Sequence, residues 1–126
     1  MLAALVLLTG CATAAPQPSV RPKARLINSD QIRANHATDA FDLIRALRPW
    51  WLQRRGQQRL FLDGEIVVYL DHVRIGGPEA LRSVQLSGVE SIEYLDAVTA
   101  TQRWGTGHAH GAIRVIQRRG GEATAR

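Results

Sequence analysis

The stretch from Ile66 to Ile75 constrains the fold more than any other part of this chain. Ile66-Val67-Val68-Tyr69-Leu70 is a β-branched and aromatic run, and His72-Val73-Arg74-Ile75 is an alternating one. Asp71 stands at their junction and Gly76-Gly77-Pro78 is a hard stop, so the pattern predicts two arms of a tight hairpin. Asp71-His72, like Asp63-Gly64 upstream, reads as turn chemistry, because aspartate stabilises a turn through its own backbone.

Further elements surround this hairpin. Asn28, Ser29 and Asp30 offer N-cap side chains for a helical turn over Gln31-Ile32-Arg33-Ala34, interrupted near Asn35 and His36. Thr38 is placed to cap a second helix, with Ala40, Phe41, Ile44 and Leu47 at three- and four-residue spacing and Pro49 as its end. Asp39 and Asp42 precede Arg45 and Arg48, the order that a helix dipole favours. The Trp50-Trp51 pair reads as core or membrane-proximal packing, and Gln53 to Gly64 as an exposed loop whose Leu60-Phe61-Leu62 is placed to pack back onto the domain.

Past the hairpin, Pro78 opens a short helix to Val84, and Ser87-Gly88 marks a turn. Val89 to Tyr94 suits a strand with one polar and one apolar face, and Ala97 to Trp104 a small helix ending at Gly105. Gly105 to Gly111 is a glycine-rich loop, and Ala112 to Arg118 a closing strand with Ile113 and Val115 on one face. With 126 residues there is room for one domain. The order argues an α+β fold, a small mixed sheet with short helices covering one side.

The N-terminus carries a separate signal. Leu2 to Leu8 is apolar and too short to span a bilayer, for which about 20 apolar residues are needed. Leu8-Thr9-Gly10-Cys11 resembles the bacterial lipobox, which implies cleavage before Cys11 and lipidation of its sulfur and new amine. A single cysteine also excludes an intramolecular disulfide or a thiolate zinc cluster. Ala12, where an aspartate would resemble an inner-membrane retention signal, points to the outer membrane. The Pro-, Ala- and Gln-rich stretch that follows reads as an extended tether. The predicted organisation is residues 1–10 as signal peptide, 11–28 as lipidated cysteine and tether, 29–119 as the folded domain and 120–126 as a disordered tail.

From Ile66 to Arg118 the chain resembles the plug domain of TonB-dependent outer-membrane receptors. The likeness lies in the hairpin VVYLDHVRI, then LRSVQLSGVESIEYL for short helix, turn and strand, then ATQRWGTGHAHGAIRVIQRR for helix end, glycine loop and closing strand. His72 replaces the family's turn glycine. Barrel strands of about 9–11 residues each have no room after the last plug-like strand. The resemblance therefore implies a plug-like module without its own pore: a lipid-anchored, periplasm-facing, non-enzymatic binding domain of the outer membrane. Its expected partner is an envelope protein, with an accessory role beside a separate β-barrel receptor as the alternative.

The candidate binding residues are Asp71, His72 and Arg74 at the hairpin, and Trp104, His108 and His110 at the glycine loop. His108-Ala109-His110 is the sharpest metal signal, since alternate residues of an extended segment share a face, and it supports a second alternative of metal binding. Two ligands make no site, so no metal and no cofactor is assigned. Ser83, Ser87 and Ser91 sit in no nucleophile elbow, and no lysine follows Gly105, Gly107 and Gly111 as a phosphate loop requires. The formal charge is +5, and 15 of 16 basic residues are arginine, which suits phosphate or carboxylate partners. Nucleic acid is not among the expected partners: the charge alone is compatible with it, but an exported, lipid-anchored protein would rarely meet it.

Overall fold

A computed structural model describes residues 22–53 and 64–120. The predicted signal peptide, Cys11, most of the tether, the Leu60-Phe61-Leu62 triplet and the tail from residue 121 lie outside the described residues. Among the described residues no helix is long and apolar enough to cross a membrane.

The hairpin forms as its sequence predicts, with β2 (Val67–Leu70) antiparallel to β3 (Val73–Gly76). Asp71 takes φ 54° at the turn, a left-handed conformation that aspartate tolerates better than most residues. Its amide donates to the Val115 carbonyl (2.7 Å), and its carboxylate accepts from the Gln117 amide (3.0 Å). Those bonds tie the turn to β5 (Ala112–Gln117), which runs parallel to β2. β4 (Val89–Leu95) flanks β5 antiparallel, and β1 (Leu26–Ile27) pairs with β4. The result is a mixed five-stranded sheet in the order β1-β4-β5-β2-β3, with short helices around it: an α+β fold.

The described fold begins at Pro22, not at residue 29. A 3-10 turn over Pro22–Arg25 leads into β1, where Ile27 is fully buried opposite Ile92. The Leu26-Ile27 dipeptide is too short to show a period, and only its pairing with β4 reveals it as a strand. Helix α1 (Ser29–Ala34) then starts with a capping box between Asn28 and Gln31. Helix α2 (Ala40–Leu47) is capped by Asp39, whose side chain accepts from the Asp42 amide at 2.9 Å; Thr38 stands one residue too early for that bond. The segment after Pro78 closes as a 3-10 helix, Pro78–Ser83.

Both faces of the sheet are covered, where the sequence predicted one. On the first face Ile27, Val68, Ile92, Ile113 and Val115 pack against Ile32, Leu43, Ile44, Trp51 and Leu81. Trp50, Trp51 and Tyr94 form an aromatic cluster there, with ring centroids 5.2–5.9 Å apart, so the tryptophan pair is core. On the second face Val67, Tyr69, Leu95 and Ala112 lie beneath α3 (Ala97–Trp104), which contributes Ala100 and Trp104. A strand buried on two sides has no polar alternate, and Val67-Val68-Tyr69-Leu70 has none.

Candidate functional site

The second face collects three of the six candidate residues, Trp104, His108 and Arg74. Helix α3 is set over it by its two ends. Asp96 caps its start by accepting from the Thr99 amide (2.8 Å) and pairs with Arg25 (2.7 Å). Gly105 ends it at φ 88°, donating to the Thr101 carbonyl (2.8 Å). The hydrogen bonds from Thr99 and then the Arg25 guanidinium outweigh partial burial and hold the Asp96 carboxyl below the usual carboxylate range.

Trp104, the last residue of α3, lies flat on Tyr69, with centroids 3.9 Å apart and planes 8° apart. His108 completes the group at 5.8 Å from Tyr69 and 6.0 Å from Trp104. Its Nδ1 is 2.8 Å from the Gly105 carbonyl, which can only accept, so Nδ1 carries the proton. In the neutral ring Nε2 is then the acceptor, and the Tyr69 hydroxyl donates to it at 2.9 Å. The imidazole is 3% exposed and pins the glycine loop to β2.

The extended geometry that the alternative of metal binding needs is not formed at the two histidines. Residues 109–110 make a turn, closed by the Gly111 amide donating to the His108 carbonyl (2.9 Å), so strand alternation does not apply. Both ring nitrogens of His108 are engaged by protein atoms. The His110 carbonyl accepts from the Tyr94 hydroxyl (3.4 Å), on the other face of the sheet. Among the described residues no three His, Cys, Asp or Glu side chains are placed to hold a metal ion. A Cβ at Gly111 would lie 2.6 Å from the Leu95 carbonyl oxygen, so close approach selects glycine there, while at Gly105 and Gly107 positive φ does.

Sequence reasoning missed the polar row that runs beside this aromatic group. Arg74, Tyr69, Arg114, Glu93 and Leu26 are successive cross-strand partners from β3 to β1 and therefore share the second face. Glu93 lies 2.8 Å from Arg114, the central member of the row, and 3.7 Å from Arg103, and Arg103 lies over the Trp104 ring at 5.4 Å. The period-two alternation of Glu93 with Leu95 and of Arg114 with Ala112 was the available signal. The row needs the strand register to become visible.

Asp71 and His72 lie at the hairpin turn, at the end of β2 away from the glycine loop, whereas Arg74 is the cross-strand partner of Tyr69, on which Trp104 stacks. Asp71 and His72 line an open groove with Glu90, Arg114, Arg118 and Arg119. Arg74 is exposed on β3 and has no ion pair among the described residues. Among the described residues, the outward features of this region are strand edge, guanidinium and apolar side chain. Comparison with protein-family models, with curated proteins and with solved structures returns no match.

Proposed function

We propose that this chain is a lipid-anchored interaction module of the bacterial outer membrane, plug-like in fold and non-enzymatic, that binds another envelope protein through its sheet edges and loops. The element order from Val67 to Gln117 supports the plug-like reading: hairpin, short helix, strand, helix, glycine loop, closing strand. The observation that carries the binding role is the direction in which the polar groups point. His108 and Asp71 spend their polar atoms on holding the loop and the hairpin, while β3 leaves Val73 and Arg74 outside. Edges of this kind must be covered or used.

Two measurements test the proposal. Metabolic acyl labelling should mark the wild-type chain and not Cys11→Ala, and the variant should leave the membrane fraction. Capture from detergent-solubilised envelopes should recover one protein in stoichiometric amount. Recovery of a β-barrel receptor would specify the module as an accessory to that receptor. A soluble, unlabelled wild-type chain, or capture of nothing above background, would refute the proposal.

A further inference from the structure

We infer that the outer edge of β3 accepts an extended segment of the partner protein as a sixth strand, one that places a carboxylate side chain opposite Arg74. The inference rests on the interaction-module reading and specifies which surface it uses and what chemistry it recognises.

The backbone is directed for this. Val67 and Asp71 donate their amides to Gly111 and Val115 on the β5 side, so odd-numbered residues of β2 face β5 and even-numbered ones face β3. Leu70 therefore exchanges hydrogen bonds with Val73, and Arg74, opposite Tyr69, turns its N–H and C=O to the open edge. Among the described residues β3 has one strand neighbour, and the opposite edge, β1, is only 2 residues long. Addition of a strand to such an edge takes its affinity from main-chain bonds and its selectivity from alternate side chains.

The side chains state the selectivity. Val73 is 66% exposed, while Ile75 packs against the first-face core. Between them Arg74 projects from the second face. The next basic group in its row, Arg114, is already neutralised by Glu93, which leaves the edge charge unmatched. The adjoining groove adds Arg118 and Arg119 beside Asp71 and Glu90. A carboxylate opposite Arg74 satisfies the edge, and a cation there is repelled.

The same geometry disfavours a second copy of this chain. Opposed residues of a continuous antiparallel sheet share a face, so a two-fold axis matching Val73 with Ile75 of the other copy sets Arg74 against Arg74. The register shift between Val68 and Tyr69 bends β3 and limits alternatives. The edge is short, and what it excludes is as specific as what it takes.

The test uses the full chain and two end-blocked peptides, Val-Thr-Val-Glu-Val-Thr-Val and the same peptide with lysine for glutamate. The glutamate peptide should slow exchange of the Arg74 amide at least tenfold and bind at least tenfold tighter than the lysine peptide. Arg74→Glu, at an exposed position, should reverse that preference. Equal binding of both peptides, no protection at Arg74, or no reversal in the variant would overturn the inference. Protection that appears without peptide and grows with protein concentration would overturn it in favour of self-pairing. Failure here together with stoichiometric envelope capture would leave the module reading standing; success here with nothing captured would remove that reading and keep the edge.

Discussion

The two faces of the sheet solve the burial problem by different means. The first is covered by two helices and three 3-10 segments, Pro49–Leu52, Pro78–Ser83 and Leu86–Gly88, and its buried contacts are mostly aliphatic and aromatic groups that need volume, with the Tyr94 hydroxyl, bonded to the His110 carbonyl, as a polar exception. The second is covered by one helix of eight residues, and its centre is a stack whose members also need hydrogen-bond partners: Trp104 on Tyr69, Tyr69 to His108, His108 to Gly105. Volume can be refilled by neighbours, but a buried hydroxyl or imidazole without its partner keeps its desolvation cost. The first face therefore stabilises the chain, and the second fixes where the glycine loop and α3 sit.

Truncation at matched tryptophans should expose that difference most strongly. Trp51 is fully buried on the first face, and Trp51→Ala should cost about 3–5 kcal/mol in chemical denaturation. Trp104 is only partly buried, and Trp104→Ala should cost about half as much, on the order of 2 kcal/mol, while increasing amide exchange through residues 105–111. Equal costs, or an unchanged loop, would break the contrast. Gly111→Ala comes next. Positive φ and the approach to the Leu95 carbonyl and the Tyr94 hydroxyl should together cost about 2–3 kcal/mol, lower the thermal midpoint and alter the aromatic circular dichroism of the cluster that Tyr94 forms with Trp50 and Trp51.

The hydrogen-bonded stack gives a smaller and more diagnostic effect. Tyr69→Phe keeps the ring against Trp104 and removes the proton that His108 accepts. It should cost about 1–2 kcal/mol, because Nε2 is left buried without a donor. His108→Leu, which removes both polar atoms of the ring, should make the Tyr69→Phe change nearly silent in a double-mutant cycle. Additive costs would mean that the two groups do not act as one unit.

What the sequence disclosed follows the same division. The hairpin, helix α3, the glycine loop and the closing strand were legible because each has a local signature: alternation, an Asp or Gly at an end, a proline stop. The apolar tetrapeptide Val67-Val68-Tyr69-Leu70 even carried the second covered face, although without α3 placed above it the run reads equally well as one-sided. Strand β1 was not legible, since two residues define no period, and neither was the capping role of Asp39 over Thr38, which a shift of one residue decides. The pairing of His108 with Tyr69 spans 39 positions, and the turn at residues 109–110 removes the strand alternation on which a shared histidine face depended. The row from Arg74 to Leu26 likewise exists only in register.

Charge at the start of α3 offers the smallest effect and the finest test of how that helix is held. The Asp96 carboxyl ionises below the usual carboxylate range in the folded chain, through its hydrogen bonds from Thr99 and then Arg25. A depressed folded value means that the stabilisation is fully present above the unfolded value, about pH 4, and is lost as pH falls through the folded one. Asp96→Asn preserves the cap and removes the charge, so it should cost less than about 1 kcal/mol at pH 7, given that both partners are more than a third exposed. Between about pH 5 and pH 2 the wild type should lose this advantage and converge on the variant, because a protonated Asp96 presents the same neutral cap. Asp96→Ala removes the acceptor as well, and should stay about 1 kcal/mol less stable than Asn across the whole range. A gap between wild type and Asn that persisted at pH 2 would place the second face's anchor in something other than this ion pair.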